Sequence, residues 1–188
     1  NSLLLNDNGK GFLDSEFVLG VEPRQDRIVA PWFELQCSGI DAGRQMCRDE
    51  EGRKVVWGVL GSRSSIIFDV DQDGDEDIVT LEFNAPPMVL VSNLSEKKDL
   101  NYLKVGLQGV QSNRDGIGAT IKVYSGDQVY TKVKHGKSGY LSQSLHPVYF
   151  GLGASAKVDK VEISWPSGIT QVIAGPIDSN QLLEIKEQ

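Results

Sequence analysis

Nine consecutive residues, Asp69-Val70-Asp71-Gln72-Asp73-Gly74-Asp75-Glu76-Asp77, carry six carboxylates. That density of like charge constrains the chain more than any other stretch. On one side runs Ser65-Ile66-Ile67-Phe68, and on the other Ile78-Val79-Thr80-Leu81. Both flanks favour strands, because branched and aromatic side chains suit a pleated surface. The spacing therefore predicts a strand, an acidic turn and a second strand, with Ser65–Phe68 and Ile78–Phe83 as the strands.

Aspartates at alternate positions of a tight turn aim their oxygens at one point. Calcium is a hard cation that takes about six to eight oxygen ligands. Asp69, Asp71, Asp73 and Asp77 occupy the ligand positions, and Gly74 permits the sharp backbone turn between them. The carbonyl of Asp75 is expected to face the ion, while the side chains of Asp75 and Glu76 point outward as solvated charge. An EF-hand would close with a glutamate where this chain has Thr80 and would continue into a helix, so Asp77 takes the closing role. The competing explanation is a merely acidic surface turn. Converging carboxylates repel one another unless a cation lies between them, which favours Ca2+ as a structural cofactor. Magnesium, with its strict octahedral demand, fits less well.

Charge is unevenly distributed along the chain. Positions 1–96 hold 18 acidic and 8 basic residues, whereas positions 100–188 hold 7 acidic and 9 basic. No basic face is evident for nucleic acid or an anionic membrane. No apolar run approaches the roughly 20 residues of a membrane span, and no basic-then-apolar leader opens the sequence. Membrane insertion is not expected, and any secretion signal is expected outside this segment. Cys37 and Cys47 lie ten positions apart in a polar, glycine-containing stretch without histidine, which matches no zinc pattern. A disulfide is the expectation, with two free thiols as the alternative, and a disulfide fits an exported protein.

Glycine-rich turns and short alternating runs indicate an all-β chain. Residues 1–12 read as a strand, an Asn/Asp/Gly turn and a return strand beginning near Phe12. A strand is expected around Val55–Leu60, and Pro86-Pro87 breaks the ladder before Met88–Val91. Ser95–Asp99 is the candidate boundary, giving a first region of 1–96 and a second of 97–188. Seven strands are expected in the second: Tyr102–Leu107, Ala119–Tyr124, Gln128–Lys134, Val148–Leu152, Lys160–Trp165, Thr170–Ile173 and Gln181–Ile185. Seven short strands so spaced suggest a β-sandwich or jelly roll.

Two resemblances follow. The pattern D-x-D-x-D-G-x-x-D between strands, with Asn1-Ser2-Leu3-Leu4-Leu5-Asn6, Gly9 and Phe12, resembles FG-GAP repeats, the blades of integrin-like β-propellers. Asn113-Arg114-Asp115-Gly116-Ile117-Gly118-Ala119, Gly139-Tyr140-Leu141-Ser142-Gln143, Phe150-Gly151-Leu152-Gly153 and Val161-Glu162-Ile163-Ser164-Trp165-Pro166-Ser167-Gly168 resemble the ASPIC/UnbV domain. That layout is similar to the cartilage-acidic-protein-like family, which implies a secreted or cell-surface protein. Residues 24–57 fall outside the resemblance and look like an insertion. A propeller needs about four blades or more, and 1–96 hold about two, so either this is a fragment of a longer protein or the blade-like hairpins pack onto the sandwich or onto another chain. Unclosed blades would leave exposed edges, which favours the fragment.

No catalytic set emerges. His135 and His146 lie in polar turns without a partnering nucleophile, and Ser138, Ser142 and Ser144 lack a nucleophile-elbow context. Asn113 is expected to cap its own turn. The leading expectation is a non-enzymatic, extracellular or periplasmic recognition or adhesion module for a protein or glycan partner. The alternatives are a carbohydrate-binding module, using Tyr124, Tyr130, Tyr140 or Trp165, and a calcium-dependent enzyme acting on polysaccharide. The enzyme needs a pair of carboxylates facing a cleft.

Overall fold

The computed structural model describes residues 4–7, 9–14, 29–59, 61–137 and 139–188. Residues 1–3, Asn8, all of 15–28, Leu60 and Ser138 lie outside them, so part of the blade signature, the last residue of the expected Val55–Leu60 strand and one candidate serine are not placed. Among the described residues the chain is all-β, with strands β1 (Leu4–Asn6), β2 (Phe12–Asp14), β3 (Val29–Gln36), β4 (Arg53–Val59), β5 (Gly61–Phe68), β6 (Asp77–Phe83) and β7 (Met88–Leu90). They are followed by β8 (Asn101–Gln108), β9 (Thr120–Ser125), β10 (Gln128–Val133), β11 (Val148–Gly153), β12 (Lys157–Ser164), β13 (Thr170–Asp178) and β14 (Gln181–Lys186). The one helical element among them is a 3-10 turn at Gln45–Cys47. None of the sheets closes on itself.

Two compact units divide the chain, residues 1–64 with 79–90, and residues 65–78 with 91–188. The acidic loop thus groups with the C-terminal strands rather than with the N-terminal half.

In the first unit β1 and β2 pair antiparallel, with Leu4 opposite Asp14 and Asn6 opposite Phe12. The turn is held by the Gly9 N–H donating to Asn6 Oδ1 at 2.8 Å. β3 pairs antiparallel with β4 and shifts register between Pro31 and Phe33. Proline has no N–H to give a ladder, so a bulge at this point lets the strand continue past it. Leu35, Cys37 and Cys47 form a small buried cluster, and Cys37 and Cys47 are joined by a disulfide.

The second unit is a sandwich of two sheets, ordered β10-β9-β12-β13 and β11-β8-β14. Side chains alternate across each strand. Leu103 and Val105 of β8, Ile121 and Val123 of β9, Phe150 and Leu152 of β11 and Ile163 of β12 all turn inward to one core. β8 is central in its sheet, antiparallel to β11 and parallel to β14. All seven expected strands are present. β13 runs further than expected, through Gly175-Pro176, because β12 shifts register between Val158 and Lys160 opposite this pair. The bulge re-aims the strand, so Val158 and Val161 both reach the core although three positions apart. A Cβ on Gly175 would sit 2.4 Å from the carbonyl oxygens of Val158 and Asp159, so the close approach requires glycine. Pro176 is tolerated because β13 is an edge strand.

Candidate metal centre

The loop Asp69–Glu76 connects β5 and β6, which are neighbours in one sheet. Asp69, Asp71 and Asp77 each offer a carboxylate oxygen, and the three oxygens lie within 4.8 Å of one another. Gly74 stands at φ +101°. A Cβ there would meet the Tyr102 ring at 2.7 Å, so glycine is required by backbone and neighbour alike.

Hydrogen bonds set which oxygens remain for a cation. Asp77 is 1% exposed. Its Oδ2 accepts the Val70 N–H at 2.8 Å and its Oδ1 the Ser92 N–H at 2.7 Å. Asp69 Oδ2 accepts the Gly74 N–H at 3.0 Å and the Lys104 ammonium at 2.5 Å. Asp69 Oδ1 and Asp75 Oδ1 are buried with no hydrogen-bond partner. Buried acceptors are nearly always satisfied, and a bound cation is one of the standard partners for such oxygens. The donor set fits a hard cation: Asp69, Asp71 and Asp77 would hold it, and its charge would quench their repulsion.

Asp73 and Asp75 are held by partners outside the loop as well as within it. Asp73 lies outside the trio; its Oδ1 accepts the Asp75 N–H at 3.1 Å and its Oδ2 the Ser95 hydroxyl at 2.5 Å. The Asp75 side chain, expected to face solvent, is 2% exposed, and Oδ2 accepts the Ser95 N–H at 2.7 Å. Glu76 is half-buried rather than solvated. The physical reason is the segment before β8: its amides at Ser92 and Ser95 need acceptors, and the loop carboxylates supply them.

The electrostatics split accordingly. Partial loss of water pushes the Asp71 carboxyl above its usual range, and the charges of Asp73, Asp77 and Asp69 add to this against a hydrogen bond from Asp73. The Ser95 hydroxyl holds Asp73 below its usual range. Burial raises Glu76, opposed by Lys132 and Lys104. Tyr149 donates its hydroxyl to the Gly74 carbonyl at 2.9 Å. Burial, with Glu76 second, pushes that phenol up to about 12, so it remains a donor.

The residues supporting the loop come from the outer face of β8 and β11. Inward Leu103 and Val105 leave Tyr102 and Lys104 on the opposite face, and Tyr149 lies across from Lys104. Tyr102 and Tyr149 stack at 5.4 Å between ring centroids. Beside them opens a groove of about 470 Å³ lined by Asp69, Glu76, Lys104, His146 and the two tyrosines. His146 stacks on Phe68 at 4.4 Å. Sequence reasoning missed Lys104, Ser92, Ser95 and Tyr149. The alternation of Tyr102-Leu103-Lys104-Val105 was the available signal, but it marks a face without saying what covers it.

Trp165, a candidate sugar platform, is 3% exposed and donates its Nε1–H to Gln171 Oε1 at 3.0 Å, so it is core. Tyr130 packs partly against that core, and Tyr124 is half-buried. Tyr140 is 64% exposed. His135 and His146 are both exposed. Asn113 caps its turn as expected, accepting from the Ile117 N–H and donating to the Ile117 carbonyl, both at 2.8 Å.

The C-terminal strands are also those that comparison with known families identifies. Residues 109–188 match the ASPIC and UnbV family. The ASPIC/UnbV match begins just after β8, yet β8 pairs with two strands inside it. The compact unit therefore extends beyond the matched segment. No curated protein matches the chain. No helix among the described residues is long and apolar enough to cross a membrane.

Proposed function

We propose that this chain is a calcium-stabilised, extracytoplasmic recognition module without catalytic activity, whose partner is a protein. One observation carries the calcium reading: buried, unpartnered oxygens on Asp69 and Asp75, in a loop where three carboxylates converge within 4.8 Å. The ion holds the loop closed on itself and supplies charge, not chemistry. The disulfide supports an oxidising compartment, and the resemblance of the loop to FG-GAP repeats supports a cell-surface role. Exposed Trp57, at 60%, and Trp32, at 53%, offer the aromatic surface that protein interfaces favour.

Calorimetric titration with calcium and melting curves in EDTA and in millimolar calcium test the reading. Binding to the folded state alone raises stability by about 2.7 kcal/mol when calcium is at 100 times its Kd. Superimposable melting curves rule calcium out. The carbohydrate reading retains one supporting observation, the groove beside the stacked Tyr102 and Tyr149. A glycan array compared with Tyr149→Phe and Tyr149→Ala separates it from protein recognition: glycan binding lost in the alanine variant alone favours the sugar.

A further inference from the structure

We propose that Lys104 is a stand-in cation. Its ammonium holds the metal-free loop folded and, by competing for Asp69, sets the calcium concentration at which the loop loads. The inference rests on the calcium reading above and assigns a role within that site to a residue on a different strand.

The Lys104 ammonium lies 2.5 Å from Asp69 Oδ2, with the two side chains 21% and 1% exposed. Asp69 belongs to the converging trio with Asp71 and Asp77. Lys104 therefore neutralises one of three mutually repelling carboxylates when no metal is bound. Its ammonium stands 5.1 Å from the centre of the Tyr102 ring, and its charge also reaches Asp73 and Glu76. Asp69 Oδ1 is left buried and without a hydrogen-bond partner. A divalent ion taken up by Asp69 meets a fixed positive charge bonded to the same carboxylate, and that repulsion weakens binding. At the dielectric of a partly buried site, charges a few ångströms apart interact by more than the roughly 1.4 kcal/mol that corresponds to tenfold in affinity.

A lysine could instead serve to orient Asp69. The geometry argues against this, because the Gly74 N–H holds the same Oδ2 at 3.0 Å and keeps the carboxylate oriented without Lys104. The two roles differ in sign. Removing a stand-in cation destabilises the metal-free protein and tightens calcium binding; removing an orienting group weakens both.

The experiment is calorimetric titration of the whole chain with calcium chloride alone, paired with thermal melting in EDTA, for the wild type, Lys104→Met and Lys104→Arg. The expected result is calcium binding tighter by about tenfold or more in Lys104→Met, together with a lower Tm in EDTA. Lys104→Arg keeps the charge and stays near wild type in both. Lys104→Gln, which can still donate to Asp69, serves if the methionine variant does not fold, with the same signs. Binding no tighter than wild type, or an unchanged Tm in EDTA, overturns the proposal while leaving calcium binding intact. A wild type that takes up no calcium removes the calcium reading and this one together.

Discussion

Gly74 carries two demands at one position. Its φ of +101° strains any side chain, and its missing Cβ leaves room for the Tyr102 ring. Gly74→Ala should therefore cost about 1–3 kcal/mol and weaken calcium binding, as melting and titration of the variant will show. Glu187 illustrates a different kind of carboxylate. It is 3% exposed and accepts the N–H groups of Val110, Gln111 and Ser112 and the hydroxyls of Ser112 and Ser167. Burial alone would raise its pKa; the hydrogen bonds outweigh that and hold it down at about 2. A depressed carboxyl stabilises the fold above its ordinary value, and the contribution is lost as pH falls from that value through about 2. Glu187→Gln should therefore melt below wild type at pH 7, and the gap should close on acidification across that window. A gap that stays constant with pH would show that charge plays no part. The local sequence around Glu187 carries no sign of this role, because its five donors lie some 20 to 77 positions away.

Strands were legible wherever alternation was clean. β8, β9 and β12 fall where Tyr102–Leu107, Ala119–Tyr124 and Lys160–Trp165 were expected, because each alternates apolar and polar residues over one buried face. β3 was not, since Pro31 followed by Trp32 and Phe33 breaks the two-residue period and the strand survives through a bulge. The ribbon of β3 and β4 encloses the Cys37–Cys47 loop, and replacing both cysteines by serine should destabilise the first unit by about 2–3 kcal/mol, from the chain entropy of a loop of that length. Hydrogen exchange reads the effect unit by unit, and loss of protection among the core amides of β8 and β9 would contradict it. Trp165, at the end of β12, belongs to the core of the second unit. Trp165→Ala should cost about 3–5 kcal/mol, measured by denaturant unfolding, without a selective effect on glycan binding.

Across the molecule, calcium should act where the loop carboxylates meet the segment before β8. Limited proteolysis in EDTA and in calcium should show protection gained at 69–77 and 91–99, with little change in the β3–β4 ribbon. The acidic repeat, the cysteine spacing and the alternating strands were all local patterns, and local patterns fix which residues turn, pair or face inward. They sufficed for the all-β class, the disulfide, the seven C-terminal strands and the convergence of Asp69, Asp71 and Asp77. Which oxygens of the loop stay free was decided by partners distant in sequence. Ser95 claims Asp73 and Asp75, Ser92 claims Asp77, and Lys104 claims Asp69. A carboxylate's neighbours along the chain give its charge, but hydrogen bonds across strands decide where that charge is spent, and those exist only once the sheets have packed.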